Sequence, residues 1–581
     1  MKKILQSLIM LLAVTFTVQL NAQRYLTEIF DTYQVVEDVS FGVNVNPLIA
    51  NFPTNAEEQA IWQGEMDFLN GLVDASVNNP DTLFDYPWFF FPNGAIPGAP
   101  ETMVKIVPLE MDIYMPPASD IETLRPVFVN VHTGNFLPAL FNGATTGDKV
   151  DSVGVNICRQ MAKRGYVAVN INYRLGWNPI SPNENTRRGT LLQAVYRAIH
   201  DTQSAVRFLR VTSSNWGIHQ SKIALIGQGS GGYVTQAYAT LDDYISEIAT
   251  LPKFIDTETF LPFVIESRDG KLEGGPGFLR LHDPLADLAP KDVIMSVNMG
   301  GALADESWLE AGDAAMVSFH CLRDPFAPFD SGMVVVPTTG DDVVPVDGAN
   351  IFIQKANDLG NNDAFNEMPG DAFTDVARAT YGQTYDYIFA TQPTMTVAST
   401  PEGLYPFILP LNGDVSVFGN QGSPWDWWDF ATLEVVVDEA NAIFNPDPPF
   451  NATIIHNSGL FSNPDMSQEK GLAYIDTVMG YLNPRAVLAM DLVTGIGELP
   501  EVQNAMKLYP NPSTSGSVVI ENEKAQMSEI IFMDAIGRVV FTANVNGLQY
   551  KLDHTGWKPG MYFVTVMFSE GGQLTKKLII R

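Results

Sequence analysis

The fold is decided by the stretch Lys222-Ile223-Ala224-Leu225-Ile226-Gly227-Gln228-Gly229-Ser230-Gly231-Gly232. Its apolar half predicts a buried strand, its glycines predict a very tight turn, and the residues from Tyr233 onward predict a helix. A strand, a turn and a helix in this order can hold a nucleophilic serine at the apex of the turn, in the pattern G-x-S-x-G. With Gly227 as the first glycine of that pattern, Gly229 occupies the apex and Ser230 follows it.

Strands and amphipathic helices alternate on both sides of this stretch. Apolar residues at helical spacing predict a helix over 191–209, and another helix is expected near 148–163. The alternation predicts βαβ units and therefore an α/β fold with a mainly parallel sheet covered on both faces. Two long segments, 241–290 and 330–450, interrupt it and are expected to be lid-like insertions. The predicted strands are 106–115, 127–131, 166–172, 222–227, 293–298 and 316–320.

Composition excludes several classes of protein. The 581 residues carry a net charge of −32, which argues against nucleic acid and against anionic membrane surfaces as partners. A hydrophobic content of 46% with 17% charged residues is typical of a globular chain. Cys158 and Cys321 are too few for a disulfide framework, and whether they pair stays open. No Cys/His cluster predicts zinc, and we expect neither a metal nor a cofactor.

The two ends of the chain differ from its middle. Residues 1–22 combine Lys2 and Lys3 with an apolar run and a small-residue cleavage site, which predicts a signal peptide and no transmembrane segment in the mature chain. Residues 23–104 are expected to form N-terminal strands and a flap, ahead of the α/β domain at 105–490. After a linker at 491–507, short strands between turn signals predict a small all-β sandwich at 508–581.

Four motifs in this last region resemble the C-terminal sorting domain of the type IX secretion system of Bacteroidetes. They are, in order, 508–513 (LYPNPS), 534–540 (DAIGRVV), 560–564 (GMYFV) and 576–580 (KKLII). The resemblance implies that the type IX secretion machinery is a partner of the chain. It also implies export through the inner membrane by the signal peptide and then across the outer membrane, so that the protein is secreted or lies at the cell surface. Whether the sorting domain is cleaved stays open.

The middle of the chain resembles α/β-hydrolases of the carboxylesterase and hormone-sensitive-lipase-like type. The resemblance rests on 109–116 (LEMDIYMP), on 132–136 (HTGNF) after a predicted buried strand, and on 172–176 (NYRLG). It implies that 132–136 stands in place of the H-G-G-G loop, whose backbone N–H groups stabilise a developing oxyanion. The expected oxyanion donors are therefore Gly134, Asn135 and the N–H of Ser230, although Thr133 and Asn135 stand where the family has glycines.

The same families place a catalytic acid and a catalytic histidine after the elbow. The segment 320–329 (HCLRDPFAPF) follows a predicted strand and resembles H-G-x-x-D-x-x-V-P, which implies that Asp324 is the acid. His456 is the only histidine between Asp324 and the sorting domain. It follows 453–455 (TII), a predicted last strand, and precedes a predicted final helix at 467–482. That slot suits a catalytic base, but the local sequence matches no signature, and a structural histidine is an equal alternative.

The elbow glycines Gly227, Gly229 and Gly231 permit two registers. Ungapped alignment with the family's G-x-S-A-G-G places Gly229 at the serine position, which removes the strain of a positive φ and also the nucleophile. The other register makes Ser230 the nucleophile. Because adjacent residues at a helix start point about 100° apart, Ser230 cannot take that role without rebuilding the turn. We expect Gly229 at the apex, with Ser230 contributing mainly its backbone N–H.

Three functions are compatible with these residues. The first is a secreted carboxylic ester hydrolase in which Ser230 is the nucleophile, Asp324 the acid and His456 the base. The second is a non-catalytic relative, a pseudoenzyme that keeps the pocket and binds a small ester or a related small molecule. The third is a surface interaction protein that uses the fold as a scaffold. The displaced serine and the weakly supported histidine favour the second, within a class defined by carboxylesterase ancestry.

Overall fold

The computed structural model describes residues 24–49, 56–77, 89–91, 102–277, 280, 285–336, 339–366, 368–389, 392–409, 421–446, 448–492, 506–514, 516–534, 539–568 and 573–581. The predicted signal peptide and most of the predicted linker lie outside these residues. The chain divides into two compact units, Thr32–Met490 and a second formed by Met1–Asp31 with Asp491–Arg581.

The unit Thr32–Met490 is built on one large sheet. Its strands, including those of two hairpins, are β1 (Gln34–Ile49), β2 (Phe89–Phe91), β3 (Thr102–Met115), β4 (Arg125–Val131), β5 (Val167–Ile171), β6 (Ile218–Gln228), β7 (Met295–Met299), β8 (Ala315–Cys321), β9 (Ser331–Val335), β10 (Asp342–Asp347), β11 (Thr384–Phe389), β12 (Gln392–Thr396) and β13 (Leu404–Phe407). The order in the sheet is β1-β3-β5-β4-β6-β7-β8-β13, with β2 paired to β3. All neighbours from β5 to β13 are parallel, whereas β3 pairs antiparallel with β1 and β5. The predicted α/β fold class is confirmed.

The unit also contains eleven α-helices among its described residues. They are α1 (Ala56–Val77), α2 (Ser152–Arg164), α3 (Glu184–Val211), α4 (Ser213–Trp216), α5 (Ser230–Thr240), α6 (Glu266–Asp269), α7 (Ala349–Asp358), α8 (Ala372–Arg378), α9 (Phe430–Phe444), α10 (Ala452–Ser462) and α11 (Gln468–Ala489). Strands β5, β7 and β8 are buried along their whole length, as expected for parallel strands with both faces covered. Because β4, β6 and β8 run parallel, the loops at their carboxyl ends meet at one edge of the sheet, where ligands bind in this kind of fold.

The last part of the sheet differs from the prediction. The strand expected at 453–455 is wrong, because these residues lie in α10, whose start is capped by Asn451 accepting a hydrogen bond from Ile454 N. The last strand of the sheet is β13, which lies inside the segment 330–450 that was predicted to be an insertion. Its Pro406 has no backbone N–H and is tolerated because β13 is an edge strand, paired with β8.

The C-terminal residues form the predicted all-β sandwich. Its strands are β14 (Met506–Tyr509), β15 (Ser517–Asn522), β16 (Met527–Asp534), β17 (Val539–Gly547), β18 (Gln549–Asp553), β19 (Gly560–Phe568) and β20 (Gln573–Ile580). They make a three-stranded sheet, β14-β15-β18, and a four-stranded sheet, β17-β16-β19-β20. The motif 508–513 is tied to the chain end, since Ser513 N donates to Ile579 O at 2.7 Å and Arg581 N donates to Ser513 O at 3.0 Å.

Two questions left by the sequence have structural answers. Cys158 and Cys321 are both buried and unpaired. Among the helices that the structure describes, none has the length and the apolar character needed to cross a bilayer.

Candidate active site

The elbow has a glycine at its apex. Strand β6 ends at Gln228, Gly229 adopts φ 51° and ψ −116°, and α5 begins at Ser230. The turn is packed so closely that a Cβ at Gly231 would lie 2.0 Å from Val131 O, in the neighbouring strand. The glycines therefore allow the strand, the turn and the helix to meet without space for side chains, as the sequence predicts.

Thr133 occupies the space that a side chain at the apex would need. A Cβ on Gly229 would lie 2.2 Å from Thr133 Oγ1 and 3.1 Å from Thr133 Cβ. Thr133 and Gly229 each depart from the family pattern. The two departures are complementary, because the threonine side chain fills the space that a side chain at position 229 would need. The sequence showed both departures but not that the side chain at 133 fills the gap left at 229.

Ser230 is buried and makes its side-chain hydrogen bond with a tyrosine. Its Oγ lies 3.2 Å from the hydroxyl of Tyr173, which donates to His132 O at 3.0 Å, and the Tyr173 ring stacks on the His132 ring. Burial raises the pKa of Tyr173 well above its usual value, so this phenol stays protonated. Within the described residues no hydrogen bond joins Ser230 to a histidine. Among the described residues, Ser230 is therefore not hydrogen-bonded to a base.

The predicted oxyanion loop has an unusual backbone. Gly134, Asn135 and Phe136 all have positive φ, of 127°, 53° and 56°. The loop is fixed from two sides, because Asn142 Nδ2 donates to Gly134 O at 3.0 Å and Trp177 Nε1 donates to Asn135 O at 2.7 Å. Ser230 is the first residue of α5, so its N–H is one of the helix-start donors without an intrahelical partner. Asn135 and Ser230 line the same cavity, described below.

Asp324 lies at the carboxyl end of β8, where the sequence places the acid. Its Oδ1 accepts hydrogen bonds from Phe326 N at 2.8 Å and Ala327 N at 3.1 Å. His320 Nε2 lies 3.9 Å from Asp324 Oδ2, beyond hydrogen-bond distance, and is hydrogen-bonded to Ala327 O instead. Burial of the Asp324 carboxyl outweighs its two hydrogen bonds and raises the pKa of Asp324 to about 7.

This shift predicts a pH dependence of stability. Between pH 4 and about 7 the folded chain keeps a proton on Asp324 that the unfolded chain has released, so rising pH removes stability. Asp324→Asn keeps an acceptor for Phe326 N and Ala327 N but cannot ionise. We expect its free energy of unfolding, relative to wild type, to rise on the order of 2–4 kcal/mol between pH 4 and 7, since one pKa unit corresponds to about 1.4 kcal/mol. Urea unfolding at several pH values measures this, and a difference that does not change with pH would contradict it.

The loop after β13 supplies residues that lie beside Asp324. The sequence has no histidine between His320 and His456. Gly422 faces the acid instead, because a Cβ on it would lie 3.0 Å from Asp324 Oδ1. Trp425, which is completely buried, fills the neighbouring space and would lie 3.3 Å from a Cβ on Gly300. The position opposite the acid is thus taken up by a glycine and an indole.

His456, the predicted base, lies in α10 and not after a strand. Its Nδ1 accepts a hydrogen bond from Trp428 Nε1 at 3.2 Å, and its ring packs edge-on against Phe430 with ring centres 5.0 Å apart. Both contacts serve to pack α10 on its neighbours. The structure brings Gly134, Asn135, Gly229 and Ser230 to one place, with Asp324 close by, and gives His456 partners from another cluster.

Sequence reasoning missed a buried carboxyl at the elbow. Asp426, in the loop after β13, accepts a hydrogen bond from Gln228 Nε2, directly before the apex. Desolvation raises the pKa of Asp426 to about 7. The two residues are 198 positions apart in the chain, so no local pattern signals this contact. Within the described residues, no group of three or more His, Cys, Asp or Glu side chains is arranged to hold a metal ion.

A cavity of about 120 Å³ opens beside the elbow. Gly229, Ser230 and Tyr233 form one wall, and aliphatic and aromatic side chains form the rest. Leu241, Ile248, Phe254 and Val264, from the predicted insertion 241–290, are among them. This part of the insertion therefore helps to enclose the cavity.

Two family models match the chain. Residues 111–259 match BD-FAE, an esterase-like α/β-hydrolase family, and residues 507–581 match the secretion system C-terminal sorting domain. The first match covers strands β4 to β6, the elbow and the oxyanion loop. No protein with a curated description matches the chain.

Solved structures of an esterase and of an α/β hydrolase are similar to the chain at low identity. Esterase 2 of Thermogutta terrifontis, phosphorylated by paraoxon, is 17% identical, with 38% of this chain and 69% of that chain covered and a TM-score of 0.24. MGS-M1, an α/β hydrolase enzyme from a Medee basin deep-sea metagenome library, is 14% identical, with 42% and 71% covered and a TM-score of 0.23. The chain combines an esterase-like α/β-hydrolase domain, which matches the BD-FAE family, with a C-terminal sorting domain of the type IX secretion system.

Proposed function

We propose that this protein is an exported, non-catalytic relative of the esterases that binds a small molecule beside its elbow. The observation that carries the proposal is the apex of the turn, where Gly229 has no side chain and Thr133 Oγ1 fills the space of one. The sorting domain implies export by the type IX system to the cell surface or outside. In this proposal residues 1–22 act as the signal peptide for the first step of export.

The surroundings of Asp324 support the same proposal. In a serine hydrolase the acid must be ionised, because it orients the catalytic histidine and stabilises the imidazolium. Burial raises the pKa of Asp324 to about 7, and Gly422 lies beside the carboxyl, since a Cβ on Gly422 would be 3.0 Å from Asp324 Oδ1. The chain thus keeps the acid's position without the partner that would give the acid a catalytic role.

An active ester hydrolase that uses Ser230 is the second candidate. It is favoured by one observation, that Ser230 lines the cavity and its hydroxyl is hydrogen-bonded to Tyr173. Tyr173, however, already donates to His132 O and stays protonated, so it is not a base that could take the proton of Ser230. The geometry therefore supports binding better than hydrolysis.

The two candidates are separated by esterase assays. We expect the mature chain to hydrolyse p-nitrophenyl acetate and butyrate no faster than its Ser230→Ala variant, and to resist labelling by a fluorophosphonate probe. Ser119→Ala, which changes an exposed serine in a turn, is the matched control. Turnover and labelling that are both lost in Ser230→Ala and kept in Ser119→Ala would establish the hydrolase and refute the non-catalytic proposal.

A further inference from the structure

The two sheets of the C-terminal sandwich have four edge strands, and two of these are short. Strand β14 has four residues, and its Met506 O accepts a hydrogen bond from Lys576 Nζ at 2.6 Å. Strand β18 has five residues, with Lys551 in its middle. Short edge strands and edge lysines are two of the ways in which proteins prevent a sheet from pairing with another chain.

The edge at β20 is covered by the motif 508–513. Asn511 pairs with this strand much as a neighbouring strand would. Its Nδ2 donates to Lys577 O at 2.7 Å, and its Oδ1 accepts from Ile579 N at 2.9 Å. Ser513 continues the pairing, because its N–H donates to Ile579 O at 2.7 Å. This edge is therefore occupied by the chain itself.

Strand β17 is the edge that lacks such protection. It has nine residues, Val539–Gly547, and contains neither a charged residue nor a proline. Among the strands that the structure describes, β16 is its neighbour on one side and none pairs with the other side. Its pairing with β16 shifts register near both ends, so the middle of the strand is the regular part. A long, uncharged edge of this kind is a template for pairing with another strand.

The side chains of β17 leave apolar surface uncovered. From Val540 to Gly547, exposed residues alternate with half-buried ones. Phe541 and Val545 belong to the half-buried set and pack against the core of the sandwich. A strand added to this edge would cover the rest of their surface, which favours pairing.

The residues of β17 are complementary to those of a second β17. An antiparallel pair centred on Ala543 places Phe541 of one copy opposite Val545 of the other. It also places Thr542 opposite Asn544. One face thus joins an aromatic to a β-branched side chain and the other joins two polar side chains, and both are favourable cross-strand pairs. The small side chain of Ala543 meets its own copy at the centre, as a two-fold contact requires.

The charge distribution favours contact through this sandwich. Residues 506–581 contain eight Lys or Arg and six Asp or Glu, whereas the whole chain has a net charge of −32. Two copies therefore repel each other least where their sandwiches meet. Because β17 is uncharged, its pairing with a second β17 brings no like charges together within the strands.

We propose that β17 is a self-association edge, at which two copies of the chain pair antiparallel with Ala543 on the two-fold axis. The two four-stranded sheets then form one continuous sheet. Two edge strands of this length bury less than the roughly 1,200 Å² of a stable interface, so we expect a weak dimer with a Kd on the order of 100 µM. This contact is independent of binding or catalysis at the elbow.

Sedimentation velocity of the chain 23–581 tests the association. We expect a monomer at about 10 µM and a large dimer fraction at about 300 µM. The Kd should be several-fold lower in about 0.5 M than in about 0.05 M NaCl, because salt screens the repulsion between the two net charges. A chain that stays monomeric at about 300 µM in both salt concentrations would overturn the proposal.

Charge variants at Ala543 test the position of the axis. Ala543→Lys and Ala543→Glu each place two like charges opposite each other, so each alone should stay monomeric, whereas an equimolar mixture should dimerise. Thr555→Lys, in an exposed turn of the same sandwich, is the matched control and should dimerise like the wild-type chain. A dimer that persists in Ala543→Lys would mean that another surface joins the copies, and it would overturn β17 as the contact.

Cysteine cross-linking tests the register without adding a charge. Ala543→Cys should form a disulfide between copies on mild oxidation, because Cα atoms directly opposite each other lie about 4.5–5.5 Å apart, within disulfide range. The native Cys158 and Cys321 are buried and do not compete.

Val539→Cys is the matched control for the register. Val539 lies on the same strand and is more exposed than Ala543, but its two copies would lie roughly 27 Å apart along the paired strands. Cross-linking of Val539→Cys as fast as that of Ala543→Cys would refute the register. Absence of cross-linking in both variants at about 300 µM would refute the contact, whether or not the charge variants fold.

Discussion

Gly229→Ser is expected to produce no esterase activity and to destabilise the protein. A serine at the apex must adopt φ 51°, which costs a non-glycine residue about 1–3 kcal/mol. Its Cβ would also lie 2.2 Å from Thr133 Oγ1, so the threonine must move before the serine fits. Even a well-placed hydroxyl would lack a catalytic base, because within the described residues no histidine is hydrogen-bonded to Asp324 and His320 Nε2 is bonded to Ala327 O. Activity on p-nitrophenyl butyrate and urea unfolding measure the two effects.

Thr133→Gly combined with Gly229→Ser separates the two causes. Removing the threonine side chain relieves the contact with the serine Cβ but leaves the backbone strain. We expect the double variant to recover part of the lost stability and to remain without turnover. Turnover in the double variant would mean that a base reaches the apex after all. Equal stability of the single and the double variant would mean that the contact with Thr133 Oγ1 is not what opposes a side chain at position 229.

The elbow and the position of Asp324 could be predicted because their signals are local. An apolar run followed by closely spaced glycines favours a strand and then a tight turn. This pattern predicted β6, the turn at Gly229 and the start of α5. Asp324 followed from a buried strand that ends four residues before it. In both cases the residues that determine the geometry are neighbours in sequence.

The remaining parts of the site depend on contacts between distant segments. The β-branched residues 453–455 favour a strand by propensity. Asn451, however, caps a helix that begins at Ala452, and the cap rather than the propensity indicated the observed structure. Strand β13 was not predicted because it contains Pro406, and a proline argues against a strand unless the strand lies at an edge. The contacts of Thr133 with position 229 and of Asp426 with Gln228 join residues that are far apart in the chain, and no pattern in one sequence contains them.

Asp201→Ala is expected to destabilise the hydrolase domain by about 3–5 kcal/mol, which is the usual cost of removing one partner of a buried ion pair. Asp201 lies on α3 and accepts from Arg174 Nη2 at 2.8 Å, from Arg174 Nε at 3.0 Å and from Arg174 N at 2.8 Å. Both side chains are only 1% exposed. Without the carboxylate, the Arg174 guanidinium would remain buried beside Arg197, whose pKa burial and Arg174 already lower to about 9. Urea unfolding at pH 7 measures the loss.

Glu184→Ala is the matched control, because Glu184 lies on the same helix and pairs with Arg188 at its exposed start. A partly exposed pair of this kind contributes below about 1 kcal/mol, so the two variants should differ several-fold in effect. The loss at Asp201 should also reach the elbow, since Arg174 follows Tyr173 directly and Tyr173 holds both His132 O and Ser230 Oγ. Asp201→Ala should therefore loosen the Tyr173 contacts as well as lower stability, whereas Glu184→Ala should lower stability by less than about 1 kcal/mol and leave those contacts in place. A stable Asp201→Ala variant would mean that the buried guanidinium finds water or another acceptor, and that the ion pair does not fix the loop beneath the elbow.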